Sequence, residues 1–247
     1  MDIPILATIF NIFRMGPDAI LTYVIGMVVL FTSLSVHEYA HAWTANRLGD
    51  GTAREMGRLT LNPLVHMDLM GTLFILLGAP VGWAKPVPIN PTRFDQKHSI
   101  KKGIALVSIA GAISNLIMAF FAYLFYSITV VIAYRTGVMT TGASSFVIQL
   151  VDVLLLIFSL FYIRNIYLAI FNMLPIPPLD GFKFFGSLLP NRIYFKIMQY
   201  ERYIGMVFLF LVIFARGGLF TILDKIAAPI TWIIATPINA LMGLFLR

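Results

Sequence analysis

Two histidines four positions apart, with a glutamate directly after the first, are the residues best suited to chemistry. They lie in the run His37-Glu38-Tyr39-Ala40-His41. In an α-helix, residues four apart share one face, so both imidazoles can point at one metal ion. Glu38 lies one position round the helix, where it can reach a water molecule beside the metal. The spacing predicts two zinc ligands and a general base for hydrolysis.

Such a site has to use nitrogen and oxygen ligands, because the 247 residues include no cysteine. The same absence excludes a disulfide framework. The alternative is that both histidines pack in an ordinary core. That alternative is weak, since a carboxylate inside an apolar run is costly and usually serves a function. The pattern therefore favours one bound Zn²⁺ ion.

A catalytic zinc site needs a third protein ligand, and two carboxylates are candidates. Glu55 follows His41 by fourteen residues, but it stands in a stretch between glycines that we expect to be solvated. Asp180 follows a proline-broken segment at the end of a long apolar run. Because irregular backbone at membrane depth lines a cavity or is buried in protein, Asp180 is favoured. A turn-capping role for Asp180 is the alternative.

The composition places these residues in a membrane protein. Hydrophobic residues make up 59% and charged residues 12% of the chain, whereas soluble domains are about half apolar and a quarter charged. We predict an all-α polytopic membrane protein with five to six transmembrane segments. The N-terminus does not resemble a cleaved signal, and residues 3–13 are predicted to form an interfacial helix. The predicted spans are 19–48, 103–134, 146–172, 203–215 and 229–246.

Positive charge predicts the orientation of these spans. Lysines and arginines concentrate in the segments 47–102 and 173–202, whereas 135–145 holds only Arg135. Both basic segments, the active site and the C-terminus are therefore expected on the cytoplasmic side. A single crossing by 69–83 would separate its two basic flanks, so we predict that it is re-entrant or interfacial. The net charge of +7 is assigned to topology and lipid headgroups, not to nucleic acid.

Two segments favour a small β element near the cytoplasmic face. Residues 57–62 alternate apolar and polar side chains, and residues 84–90 contain alternating prolines typical of an edge strand. We expect one of them to pair with an extended substrate by backbone hydrogen bonds; packing at the surface is the alternative. No repeat or linker divides the chain. We therefore predict one domain, 1–247, with a catalytic core at about 19–185 and transmembrane segments at about 195–247.

Beyond these patterns, several motifs resemble the site-2 protease family of intramembrane zinc metallopeptidases. The family pairs HExxH on one transmembrane helix with a later Asp-Gly, as in His37 to His41 and in Leu179-Asp180-Gly181. The segments 57–63, 82–88 and 111–115 are similar to its compact prokaryotic subgroup without PDZ or CBS domains, although Ala112 stands where the family often has proline. The resemblance implies hydrolysis of peptide bonds within transmembrane segments of membrane proteins, in a prokaryotic cell membrane. It also implies that Asp180 is the third zinc ligand.

Three further polar residues have open roles. The resemblance suggests that Asn115 contacts the substrate backbone or the oxyanion; an interhelical hydrogen bond is the alternative. Asn172 either faces the substrate cavity or joins helices. Arg164, inside an apolar run, pairs with a carboxylate, snorkels, or marks a shifted span boundary, and the sequence does not choose.

Two other functions fit parts of the pattern. An ion-coupled transporter or channel also uses broken helices and buried charge, and a non-proteolytic relative would bind substrates without cutting them. Glu38 favours the hydrolase, since an ion path has no need of a base beside two histidines. The sequence does not indicate the oligomeric state.

Overall fold

The computed structural model describes residues 16–77, 82–95, 97, 99–138, 144–214 and 216–246, so the predicted interfacial helix at 3–13 lies outside the described residues. The described residues form ten α-helices and one 3-10 turn, Pro91–Arg93. The helices are α1 (Pro17–Arg47), α2 (Thr52–Glu55), α3 (Pro63–His66), α4 (Leu69–Leu76), α5 (Ile100–Arg135), α6 (Ser145–Asn172), α7 (Asp180–Gly186), α8 (Asn191–Met198), α9 (Glu201–Phe214) and α10 (Arg216–Phe245).

Helix α5 lies at the centre of the bundle and packs against α1, α6, α7 and α10. Its close neighbours approach through small side chains, as is usual where helices associate without water. Ala119 of α5 is fully buried and packs with Ile166 of α6 and Leu223 of α10 in the main apolar core. On α1, Ala42 and Ala45 are also fully buried. These small buried residues let α1, α5 and α6 pack closely against one another.

Four helices are long and apolar enough to cross a membrane, and a fifth crossing requires counting the bent pair α8 and α9. The prediction of five to six spans is therefore not confirmed. The predicted span 203–215 coincides with α9, whose 14 residues extend only about 21 Å. The predicted span 229–246 is the second part of α10, which continues through Pro229 and Pro237. Neighbouring helices make such prolines tolerable in membranes.

The last helix runs in the same direction as α5. Arg135, at the end of α5, donates from Nε to the carbonyl of Phe245 at 2.5 Å. The end of α10 thus lies away from the basic segments, and the expectation that the C-terminus shares their side is wrong. The prediction counted 203–215 as a crossing, whereas α9 has 14 residues and is not among the four helices long enough to cross. One crossing fewer reverses the side on which the last helix ends.

Helix α4 runs alongside α1, and the residues after the helix come back to its beginning. The hydroxyl of Tyr23 donates to the carbonyls of Ile75 and Leu76, each at 3.0 Å. Tyr23 lies fourteen residues before His37, which corresponds to about 21 Å along the helix. The other end of the loop closes on itself, because the amide of Lys85 donates to the carbonyl of His66 at 2.7 Å. The two flanks of this segment therefore lie on the same side of the bundle, and whether it is re-entrant or interfacial stays a prediction.

The predicted β element is not found. The described residues contain no sheet, only an isolated antiparallel bridge between Met67 and Ala84. In 84–90, Pro86 and Pro88 lack the N–H groups that a ladder needs. Burial does not alternate in 57–62, because Arg58 is buried and Leu61 is exposed, although Leu59 packs against a small core. The apolar–polar alternation therefore does not give the buried face of this segment, and no neighbouring strand accompanies it among the described residues.

A buried carboxylate joins the loops at the end of α1. Asp50 is fully buried and accepts hydrogen bonds from the amide of Asn90 at 2.6 Å and from the amide of Thr52 at 3.0 Å. The Thr52 hydroxyl also donates to it. Asp50 thereby ties the extended segment 84–90 to the loop that follows α1.

Replacing Asp50 tests this connection. Asp50→Asn puts an amide NH₂ among donors, so we expect a loss of about 1–3 kcal/mol in the free energy of unfolding. Thermal unfolding of the purified protein in detergent measures it. The matched control is Asp18→Asn, at the exposed first turn of α1, expected to change stability by less than about 0.5 kcal/mol. Equal effects of the two changes would contradict the role of Asp50.

Candidate metal centre

Three side chains from two distant parts of the chain meet beside α5. His37 and His41 project from one face of α1, and both are buried. Asp180 begins α7. Ligand atoms of the three residues lie within 4.8 Å of one another, the one such group of metal-binding side chains among the described residues. The third ligand predicted from the sequence is thus brought to the histidine pair.

The distances within this group fit a zinc ion. His37 Nε2 and His41 Nε2 lie 3.0 Å apart, and Asp180 Oδ2 lies 3.2 Å from the first and 2.9 Å from the second. Tetrahedral ligands at bond lengths of about 2.0–2.1 Å are separated by about 3.3 Å. Two imidazoles and one carboxylate, with a fourth position open, are also a donor set of catalytic zinc sites.

A backbone carbonyl fixes which nitrogen of His41 can bind metal. The Nδ1 atom lies 2.7 Å from the carbonyl oxygen of Val107 on α5. A proton on Nδ1 satisfies that oxygen and leaves the Nε2 lone pair free for the metal. Outer hydrogen bonds of this kind set the tautomer and the ring orientation of ligand histidines.

Asp180 is positioned by the broken segment that precedes it. Gly181 has no room for a side chain, because a Cβ there would meet the backbone of Met173 and Leu174. Lys183 donates from Nζ to Asp180 Oδ1 at 3.3 Å, which leaves Oδ2 directed at the histidines. Burial opposes ionisation, but the histidines and Lys183 outweigh it and hold the pKa of Asp180 below its usual range. The carboxylate form is the one that binds metal.

Gly111 makes space for the two imidazoles. It is buried on α5, and a Cβ at this position would lie 2.5 Å from His41 Nε2 and 2.6 Å from His37 Nε2. Neither ring can shift without losing its alignment with Asp180. The sequence analysis used Gly111 only as part of a family motif. A glycine inside a long apolar helix is the signal that could have identified it.

Glu38 is held by a single backbone amide. Its Oε2 accepts from the N–H of Val87 at 2.9 Å. Pro86 and Pro88 on either side have no N–H, so Val87 supplies the one donor in this stretch of three residues. Glu38 is only partly buried, and its Oε1 remains available. The alternating prolines thus select one amide for the carboxylate, a role that the edge-strand interpretation missed.

The remaining candidate residues are two asparagines and Glu55. Asn115 is fully buried, and both polar atoms of its amide lack a hydrogen-bond partner among the described residues. Asn172 donates to the carbonyl of Leu168 in its own helix at 3.0 Å. Glu55 lies at the surface, where hydrogen bonds from Arg93 lower the pKa of its carboxyl. It is not part of the metal-binding group.

Comparison with known proteins agrees with this chemistry. The model of peptidase family M50 matches residues 25–213. The chain is 39% identical over 205 residues to "Putative zinc metalloprotease YwhC" of Bacillus subtilis (strain 168), covering 82% of this chain and 85% of that protein. It is 29% identical over 164 residues to "Putative zinc metalloprotease Rip2" of Mycolicibacterium smegmatis, covering 64% of this chain and 54% of that protein. No solved structure gives a significant match.

Gly111→Ala tests the packing of the imidazoles. We expect the purified variant to lose most of its zinc, measured by elemental analysis of the protein in detergent, because the added methyl group displaces both rings. Gly243→Ala is the control, since a Cβ there has nothing within 4 Å. A full complement of zinc in Gly111→Ala would show that the rings have room to move.

Val87→Pro tests the amide that holds Glu38. Removing this N–H takes away a hydrogen bond to a charged group, worth about 1.5–3 kcal/mol. We therefore expect the rate of peptide hydrolysis to fall by about ten- to a hundredfold, with the zinc content unchanged. Val87→Ala keeps the N–H and serves as the control. If the two variants lose the same activity, the side chain of Val87 matters and its amide does not.

Proposed function

The chain belongs to peptidase family M50, and from this premise we propose that it is an intramembrane endopeptidase with one zinc ion. That the protein is a membrane zinc metallopeptidase follows from the family, the similar proteins and the apolar helices. The finer proposal concerns the reaction and the substrate. We propose hydrolysis of peptide bonds within or near transmembrane segments of membrane proteins.

The observation that carries this proposal is the position of the metal-binding group within a transmembrane helix. His41 and His37 lie six and ten residues before Arg47, the last residue of α1. At the rise of an α-helix, they are about 9–15 Å inside that end. Polar ligands so deep in apolar surroundings are costly unless they serve a function. A site at this depth suits a peptide bond that itself lies within the membrane.

Different residues of the site are proposed to bind the metal and to transfer the proton during hydrolysis. His37, His41 and Asp180 would hold a zinc ion, which would acidify water and polarise a carbonyl group. Glu38 accepts the proton of the attacking water and passes it to the leaving amine. The Val87 amide holds Oε2 of this carboxylate, which leaves Oε1 to take up the proton.

Two asparagines are proposed to contact the substrate. Asn115 stands one helical turn beyond Gly111 on α5, so it is close to the metal ligands. Its unpaired Nδ2 can donate to the oxyanion that develops at the scissile carbonyl, without competing for zinc. Asn172 bonds its own helix through Nδ2, and its Oδ1 is proposed to accept from the substrate backbone.

The proposed location is a prokaryotic cell membrane, with the active site toward the cytoplasm. Support comes from the basic segments 47–102 and 173–202, which flank the ends of α1 and α6 nearest the metal-binding group. Positively charged loops remain preferentially on the cytoplasmic side. Transmembrane proteins and the surrounding lipid bilayer are the proposed partners.

Glu38→Gln is the direct test of the proposal. The amide cannot accept a proton, so we expect cleavage of a transmembrane reporter segment to fall by about a hundred- to ten-thousandfold, while zinc is retained. Elemental analysis and gel-based cleavage assays of the purified protein measure both properties. The matched control, Glu55→Gln at the exposed surface, should cleave normally. Equal cleavage by wild type and Glu38→Gln would refute the proposed role of Glu38.

A further inference from the structure

An arginine that has no anionic partner among the described residues lines an apolar cavity next to α1. The cavity has a volume of about 210 Å³. It lies between α1 and α10, each of which contacts both α5 and α6. Apart from Arg164, its lining is mainly leucine, phenylalanine and valine. We call this space the α1–α10 groove; it includes Leu30 and Leu34 of α1 and Leu219 and Leu223 of α10.

Arg164 extends from α6 along the groove toward α1. Its Nη2 packs so closely on Gly26 that a Cβ there would lie 2.7 Å away. Glycine at this position therefore makes room for the guanidinium. Among the described residues, none forms an ion pair or a hydrogen bond with Arg164 in the structure. The Asp224 carboxylate, next to Leu223 of the groove, accepts from the hydroxyl of Tyr167 instead.

A charged group in the membrane interior is expensive and is normally paired. The guanidinium has five N–H donors and suits a carboxylate or phosphate oxygen. Gly26 lies nine residues after Pro17, the first residue of α1, so the guanidinium is about 14 Å inside that end. Headgroup layers are only about 5–8 Å thick on each side. Lipid phosphates therefore lie nearer the surface than this site, which favours a carboxylate within a transmembrane segment.

We propose that Arg164 is the anion-binding residue of the α1–α10 groove and selects transmembrane segments that carry an aspartate or glutamate. The apolar lining receives the rest of such a segment, and the guanidinium pairs with its carboxylate. This inference rests on the proposed function, because it assumes that the segment is a substrate.

The geometry also gives the position of the carboxylate in the substrate. Gly26 lies eleven residues before His37 on α1, or about 16 Å along the helix axis. An extended substrate covers this distance in about five residues, at roughly 3.3 Å per residue. A helical substrate needs about eleven. The acidic residue is therefore expected five to eleven residues from the cleaved bond, on the side directed toward the start of α1.

The test uses purified full-length protein in vesicles of a neutral phospholipid. The substrates are pairs of reporter transmembrane segments, in which one member carries aspartate and the other asparagine at the same position. Successive pairs place this residue five to eleven positions from the cleaved bond. At the best position we expect wild type to cleave the aspartate member about tenfold faster, as charge pairing in an apolar site allows. Arg164→Gln should bring this ratio close to one with zinc retained. Arg164→Glu should favour a lysine member instead, and Arg164→Lys should keep the preference for aspartate.

The control variant is Lys225→Gln, which removes an exposed cation of α10 that does not line the groove and should leave the ratio unchanged. If wild type cleaves aspartate and asparagine members equally while Glu38→Gln cleaves neither, the inference fails and the proposed function stands. If no segment is cleaved, the proposed function fails and the inference with it. In further vesicles with increasing amounts of an anionic phospholipid, a rate that follows this amount, and depends on Arg164 but not on aspartate, would overturn the inference in favour of an anionic lipid headgroup.

Discussion

The metal-binding group depends on one constraint: two imidazoles and a carboxylate must come together in a part of the protein surrounded by apolar helices. A single unpaired member would be costly in such surroundings. Val107 satisfies Nδ1 of His41, and Lys183 occupies Oδ1 of Asp180. The close approach of α5 to α1, possible only with glycine at position 111, completes the arrangement. The helical core thus serves to bring α5 and α7 against one turn of α1.

The ligands were predictable because their chemistry is encoded locally. The spacing of His37 and His41 is a property of one helix, and Asp180 is marked by the prolines before it. The number of membrane crossings was less predictable. Hydropathy placed the start of the last span at 229, but the helix begins at 216 and continues through Pro229 and Pro237. Helix α10 packs against α5 and α6. A hydropathy window covers only neighbouring residues of the sequence, so it carries no information about these contacts.

The β element illustrates a different limit. Alternation in 57–62 and prolines in 84–90 are local patterns, and each fits an edge strand. A sheet also needs a partner for each backbone amide, which depends on distant residues. In the structure only one of those amides is bonded to a neighbouring extended backbone, because Lys85 donates to the carbonyl of His66 at the isolated bridge. Asn90 donates to the carboxylate of Asp50 instead.

Together with the bond from Val87 to Glu38, these contacts give the backbone amides of the segment 84–90 three separate acceptors. Pro86 and Pro88 remove the amides between them, so the remaining donors are spaced to reach three different acceptors. A backbone amide has a fixed position, unlike the end of a lysine or arginine side chain, so it orients Oε2 of Glu38 and leaves Oε1 free. Because prolines flank Val87 on both sides, no other amide in this stretch of three residues competes for the carboxylate.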